Sequence, residues 1–258
     1  MIETLGILQA RMGSTRLPGK VLADISGRPM LARQIERLRR CRMIDDLVVA
    51  TTSQTEDDAI ADLCEQLGVM IVRGDPEDVL DRFKVALDRH PCRTSVRLTG
   101  DCPLIDSDVV DLVIRSFFAA EVDYASNTIE PSWPDGLDVE VVRSETLMAA
   151  WAEAKLPSER EHVTPFIRKH PKRFKLLNVV ADQDLSGLRW TVDDDKDLEF
   201  VRRVYDRLHH ANPNFKTAEV LGLLRADPDL ARLNEGTARN EGYAKSLLRD
   251  AAVVSKKN

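Results

Sequence analysis

Four short apolar runs, separated by stretches with helical periodicity, predict an α/β protein built on a mainly parallel sheet with helices on both faces. The runs span residues 5–8, 46–50, 69–72 and 95–98, each the length of a buried strand and bounded by turn-forming residues. The stretches 30–41, 57–67, 78–89 and 106–120 carry apolar residues at three-and-four spacing, the pattern of amphipathic helices. In open sheets of this kind ligands bind at the carboxyl ends of the strands, so function is to be sought in the residues just after each strand.

After residue 121 the rhythm changes. Trp133-Pro134-Asp135-Gly136 reads as a turn, followed by a strand over 137–142 and a helix over 144–155. A helix is predicted to begin near Glu159 and stop before Pro171, strands to occupy 176–180 and 188–192, the second leading to Asp193, and a helix to run over 196–209. Beyond Asn212 the chain reads as helical but less tightly patterned. It breaks at Asp227-Pro228, carries a turn or interaction element at Asn240-Glu241-Gly242-Tyr243, and ends on polar Lys256-Lys257-Asn258. With no repeat and no clear linker, the pattern predicts a catalytic domain over residues 1–212 and a helical C-terminal extension over residues 213–258.

Composition narrows the function classes. The chain of 258 residues with 43% hydrophobic content can build a core without staples. Cys41, Cys64, Cys92 and Cys102 are widely spaced, form no C-x-x-C pair and stand apart from any histidine cluster, which fits a reducing compartment. The apolar stretch after Met1 is too short for a signal peptide and no run reaches a membrane span, so a cytoplasmic protein is expected. A net charge of -6 argues against broad nucleic-acid binding. Any phosphate site must therefore be local.

The segment from Gln9 to Lys20 is the most informative. Ala10, Arg11, Gly13, Ser14, Arg16 and Lys20 fall in a glycine-containing loop immediately after the first strand, where backbone N–H groups can cradle oxyanions. Arg supplies bidentate contacts and Lys a movable point charge. Five residues separate Gly13 from Gly19, and Val21 follows Lys20 where a P-loop needs a hydroxyl, so this is not a Walker A loop. The competing reading is a solvated basic loop. Asp101, in Leu98-Thr99-Gly100-Asp101-Cys102-Pro103, follows another strand, and Asp193, in Trp190-Thr191-Val192-Asp193-Asp194-Asp195, follows a third. Two carboxylates from neighbouring strand ends can hold Mg2+ and leave positions for triphosphate oxygens. Turn formation and helix capping are the ordinary alternatives for both.

The sequence Leu8-Gln9-Ala10-Arg11-Met12-Gly13-Ser14-Thr15-Arg16-Leu17-Pro18-Gly19-Lys20 resembles the nucleotide loop of the cytidylyltransferases that activate ketodeoxyoctonate and acylneuraminates. The branch of the spore-coat polysaccharide biosynthesis protein F is the nearer likeness. It is suggested by Glu77-Asp78-Val79-Leu80-Asp81-Arg82-Phe83, by Arg97 to Ile105, by Pro134-Asp135-Gly136-Leu137-Asp138-Val139-Glu140-Val141, and by Arg160-Glu161-His162-Val163-Thr164. The likeness spans roughly residues 2–208. It implies a Rossmann-like nucleotidyltransferase fold with a central mixed, mostly parallel sheet, CTP as a substrate, contacts from Arg11, Arg16 and Lys20 to its phosphates, magnesium on Asp101 and Asp193, and a homodimer as one assembly the family allows. The ketodeoxyoctonate enzymes usually carry Gln-Gly-Asp-Glu-Pro where this chain has Thr99-Gly100-Asp101-Cys102-Pro103. They carry Val-Asp-Thr-Pro-Glu-Asp where this chain has residues 192–197. The aspartates are kept and their neighbours are not.

The expected reaction is attack of an acceptor oxygen on the α-phosphorus of CTP with release of pyrophosphate. Arg11, Lys20 and Asp101 are the expected catalytic residues, acting mainly through electrostatics and alignment. The acceptor, a sugar acid or another small anion, is expected against Asp138 and Glu140, which share one strand face, and Glu161 and His162, which open a helix. A solvated strand face is the alternative for the first pair, and structural hydrogen bonding is favoured over metal ligation for His162. Arg73 and Asp75 follow the third strand and either approach the nucleotide or form a plain turn. Two other functions share such architecture: a metal-dependent glycosyltransferase using a nucleotide-sugar, and a noncatalytic nucleotide-binding protein.

Overall fold

The computed structural model describes residues 2–236, 239 and 241–255. Asn240 and the polar end at 256–258 lie outside the described residues. In chain order the sheet elements are β1 (Ile2–Gln9), the small hairpin β2 (Asp24–Ile25) and β3 (Arg28–Pro29), β4 (Asp46–Thr52), β5 (Met70–Gly74), β6 (Cys92–Thr99), β7 (Tyr124–Ser126), β8 (Glu140–Arg143) and β9 (Leu176–Asn178). The helices are α1 (Met30–Leu38), α2 (Asp58–Leu67), α3 (Val79–Arg89), α4 (Ser107–Ala120), α5 (Ser144–Glu153), α6 (Pro157–His162), α7 (Pro165–Arg168), α8 (Asp195–Leu208), α9 (Thr217–Ala226), α10 (Pro228–Ala231) and α11 (Glu241–Ser255).

Seven strands form one sheet in the order β5-β4-β1-β6-β8-β7-β9. The first four run parallel, β8 is antiparallel to both β6 and β7, and β9 is parallel to β7. The expected mixed, mostly parallel sheet is thus what the chain forms. Alternation along β1 explains the two-sided core: Leu8 packs with α1, α2, α4 and α8, while Leu5 and Ile7 pack with α3, α5 and α7. In register, Gln9 of β1 stands opposite both Ala50 of β4 and Thr99 of β6. β1 and β6 therefore end level, with β4 running two residues further, and the segments that leave them emerge side by side.

Three sequence expectations need correction. Residues 188–192 form no sheet strand; they contribute a single bridge between Arg189 and Asp135. Residues 189–192 are all buried, Trp190 and Val192 fully, so their burial comes from core packing rather than from strand pairing. The strand expected over 137–142 begins only at Glu140, so Asp138 precedes β8 instead of sharing it. The helix expected from Glu159 is two short helices broken at Val163, whose φ of 70° no helix can contain, so Glu161 and His162 close α6 rather than open a helix.

Candidate active site

The loop after β1 is pinned before it reaches any ligand. Buried Asp57 accepts from the Met12 amide at 2.7 Å and from the Thr52 amide at 3.2 Å, tying the loop to the end of β4. Gly19 closes the loop with φ 72° and its amide bonded to Met12 O at 3.0 Å, a left-handed turn that suits glycine. Gly100 donates to Gln9 O at 2.8 Å, and a Cβ there would stand 2.9 Å from both that oxygen and the Ala10 Cβ. Only a glycine lets the end of β6 lie against this loop and set Asp101 beside it.

At that junction the Lys20 ammonium donates to Asp193 Oδ1 at 2.9 Å, Asp101 Oδ2 at 3.2 Å and Val192 O at 2.7 Å. Val192 N in turn donates to Asp101 O at 2.8 Å, so an irregular segment does the work expected of a strand end. Asp193 also meets Arg16 at 2.9 Å and Arg189 at 2.8 Å. Burial works against charge on Lys20, but the two carboxylates outweigh it and hold its pKa above the usual value. Burial likewise opposes ionisation of Asp193, yet Lys20, Arg189 and Arg16 bring it down to about 2. Because both carboxylates converge on one nitrogen, they can bracket a cation, and their hard oxygens suit a divalent metal. Among the described residues no group of three or more His, Cys, Asp or Glu side chains is placed to hold a metal ion.

This junction lies in the lining of a cleft of about 800 Å³. Ala10, Arg11, Gly13, Ser14, Arg16, Lys20, Asp101 and Asp193 line it, together with Asp138, Glu140, Glu161 and His162. Glu140 is buried and accepts from Tyr124 and Thr164 while pairing with Arg97. Burial opposes its charge, but these partners hold its pKa below the usual value, so the solvated-face alternative does not apply to it. Asp138 pairs with Arg239 and is pushed the other way, up to about 7, by burial and by the nearby Asp135, Glu140 and Asp101. His162 bonds through Nε2 to Ser246 of α11 at 3.0 Å. Burial and the neighbouring Arg97 push it down to about 4, so its ring is neutral near pH 7.

The sequence profile of a family described as Cytidylyltransferase matches residues 5–227. The chain belongs to the cytidylyltransferase family. It is 33% identical to the spore coat polysaccharide biosynthesis protein SpsF of Bacillus subtilis, over 91% of this chain and 99% of that protein. A 3-deoxy-manno-octulosonate cytidylyltransferase of Chlorobium chlorochromatii is 36% identical over 50% of this chain and 51% of its own length. A solved cytidylyltransferase from Leptospira borgpetersenii superposes with a TM-score of 0.86 at 28% identity, covering 93% of this chain and 100% of that one. As a member of this family the chain is a nucleotidyltransferase, and the fold expected from the resemblance is the fold observed.

Two expected nucleotide contacts are not brought into the cleft. Arg73 spends its guanidinium on Thr52 O, Gln54 O and Asp58, bracing the connection between β4 and α2. Asp75 accepts from the amides of Glu77 and Asp78, which makes it the turn former of the alternative reading. Trp190 is buried in the core and Trp133 donates to Val179 O, consistent with packing and turn roles.

The cleft also holds residues that sequence reasoning passed over. Arg82 of α3 lines it, is 2% exposed, and its Nε has no hydrogen-bond partner. Burial, with Arg11 nearby, lowers its pKa to about 10. A signal was available, since Arg82 sits on the helix face that also carries Val79, Phe83 and Ala86. Arg189, which is not in the lining but braces Asp193 along with Asp135 and Asp197, had no such signal because its partners are set by the fold. The same holds for Glu241 of α11, which pairs with Arg16 across 225 residues of sequence.

Proposed function

We propose that this chain is a CTP-dependent cytidylyltransferase that transfers CMP to a sugar acid or related small anionic acceptor, releasing pyrophosphate, for the biosynthesis of a cell-surface polysaccharide. The observation that carries this reading is the convergence of Asp101 and Asp193 on Lys20 at the end of the cleft, beside Arg16 in the same loop. A triphosphate needs several cations at one place, and this loop supplies them next to two carboxylates able to hold magnesium. The names of the relatives, one a spore coat polysaccharide protein and one a 3-deoxy-manno-octulosonate enzyme, support the acceptor class.

In this reading the backbone around Gly13 and Ser14 cradles the phosphates, Arg11 and Arg16 bind their oxygens, and Lys20 stabilises charge growing on the departing pyrophosphate. Arg82, buried and without a salt-bridge partner among the described residues, adds a fixed positive charge to the same wall. Magnesium held by Asp101 and Asp193 would supply charge neutralisation and alignment of the triphosphate. Asp138, Glu140, Glu161 and His162 face the acceptor. The catalytic groups all fall within residues 1–212, and the extension from residue 213 closes the acceptor end.

The test is pyrophosphate release with magnesium and each of the four nucleoside triphosphates against nonulosonic acids, sugar phosphates and phosphonates. Release that requires CTP and one acceptor is the expected result. Turnover of a nucleotide-sugar instead would identify a glycosyltransferase, and CTP binding without turnover of any panel member would point to a noncatalytic binder.

A further inference from the structure

Helix α11 lies beyond the part of the chain that the family profile matches, which ends at residue 227. It packs on α6 through polar contacts rather than a greasy seam. Asp250 accepts from the Ser158 amide at 2.8 Å and from its hydroxyl at 2.6 Å, and Ser246 meets the end of α6. The first turns of α11 enclose one side of the His162 ring. Tyr243 stands edge-on to it at 5.2 Å, and Gly242 lies beside Cε1.

The hydrogen bonds of Ser246 fix which nitrogen of His162 carries the proton. A serine hydroxyl has one proton to give and two lone pairs to fill. Ser246 is fully buried, and its Oγ lies 2.6 Å from the Glu161 carboxylate, 3.0 Å from His162 Nε2, 3.1 Å from Gly242 O and 3.3 Å from Arg249 Nη2. The short, charge-assisted bond to Glu161 takes the proton in preference to the longer one to a neutral carbonyl. Arg249 can only donate, so it fills one lone pair. The second lone pair is left for His162, which must meet it as a donor. The ring is therefore the Nε2–H form, and Nδ1 carries a lone pair. Nδ1 bonds to no described residue and is not among the sealed, unpartnered atoms of the interior. It is therefore open to solvent, and the residue that carries it lines the cleft.

We propose that α11 is a working part of the acceptor site: Ser246 is a positioning residue that holds His162 as the Nε2–H tautomer, so that Nδ1 accepts a hydrogen bond from a hydroxyl of the acceptor. The acceptor class is accordingly a hydroxylated one. A group with no proton to give, such as a carboxylate or fully ionised phosphate, is repelled by the Nδ1 lone pair and must bind elsewhere in the cleft. The assignment of the acceptor end rests on the function proposed above; the tautomer does not.

The experiment has two arms on the full chain. A long-range proton–nitrogen correlation spectrum of protein labelled with nitrogen-15 histidine, near neutral pH, reads the tautomer of His162, with His162→Gln identifying its signals. The Nε2–H pattern is expected in the wild type, and a mixture of tautomers in Ser246→Ala. In the second arm, acceptor kinetics use 3-deoxy-manno-octulosonate or whichever hydroxylated member of the panel turns over. Ser246→Ala is expected to raise the acceptor KM about tenfold, the loss of one oriented hydrogen bond, with the KM for CTP unchanged. His162→Asn, whose amide oxygen can stand near Nδ1, should keep acceptor affinity better than His162→Gln. A wild-type ring protonated at Nδ1, an acceptor KM indifferent to Ser246→Ala, or the reverse order of Asn and Gln overturns the proposal. Should no panel member turn over, the function proposed above fails in the second arm, and the tautomer spectrum alone upholds or overturns the role of Ser246.

Discussion

Lys20 and Asp193, 173 residues apart in sequence, lie 2.9 Å apart in the wall of the cleft. The contact joins the loop after β1 to the segment before α8, and Asp101 shares the same ammonium at 3.2 Å. Lys20→Met keeps an unbranched side chain one atom shorter and removes its charge. The expected outcome is a loss of turnover of about a hundredfold or more, the size seen when one preorganised charge-stabilising donor is removed. Asp101 loses its only ion-pair partner among the described residues, whereas Asp193 keeps Arg16 and Arg189. Pyrophosphate release measures the effect. A wild-type rate would reduce Lys20 to a structural clamp.

Asp101→Asn and Asp193→Asn should both lose most metal-dependent turnover but differ in stability. The Asp193 carboxyl is brought down to about 2 in the folded chain against an ordinary 3.8. A lowered carboxylate contributes stability that is fully present above its unfolded value and lost as pH falls through the folded one. At neutral pH the Asp193 contribution is on the order of 2 kcal/mol. Thermal denaturation of Asp193→Asn near pH 7 should show a clear drop that Asp101→Asn does not match. Equal melting temperatures would mean that Arg16, Arg189 and Lys20 gain nothing from that carboxylate.

Gly100→Ala tests how the site is assembled. Its added methyl would meet Gln9 O and the Ala10 Cβ at 2.9 Å, and both belong to the strand end and loop that carry Arg11 and Lys20. Backbone cannot yield as a side chain can, so a cost of about 1–3 kcal/mol is expected, together with a displaced Asp101. A melting curve and a magnesium titration of turnover should change together.

Arg73→Ala should lower stability by about 1–2 kcal/mol while leaving the KM for CTP unchanged, because the guanidinium braces Thr52, Gln54 and Asp58 outside the cleft. A raised KM for CTP would restore the nucleotide role expected from sequence.

The contrast between Arg73 and Arg11 shows what local pattern can carry. Arg11 follows β1 and Arg73 lies at the end of β5, and the sequence distinguishes them only by the company of Gly13, Ser14, Arg16 and Lys20. The first four strands were legible because strands buried on both faces read as continuous apolar runs. Residues 188–192 imitate that signal, since Leu188, Trp190 and Val192 face the core without pairing in the sheet. The acceptor end was legible only in part. Glu161 and His162 could be named, but Ser246 joins Glu161, Arg239 joins Asp138 and Glu241 joins Arg16, through contacts spanning 85, 101 and 225 residues that no periodicity encodes.

Asp138 gives a pH signature of the acceptor end. Burial and the neighbouring Asp135, Glu140 and Asp101 raise its carboxyl from 3.8 to about 7, against the pull of Arg239. For a raised group the sign is opposite to that of Asp193: the folded chain holds the proton more tightly than the unfolded one. Its contribution to stability is therefore complete below about pH 4 and is lost as pH rises through about 7. Asp138→Asn cannot titrate, so the melting temperature of the variant relative to the wild type should rise between those limits and level off above them. The side chain keeps 26% of its surface open to the cleft, and solvent moderates the size of the effect without reversing it. An acceptor that binds against the protonated form should likewise bind more weakly as pH passes 7 in the wild type, and with no such step in Asp138→Asn. A parallel pH response of stability in the two proteins would place the Asp138 carboxyl in the ordinary range and remove it as the source of that step.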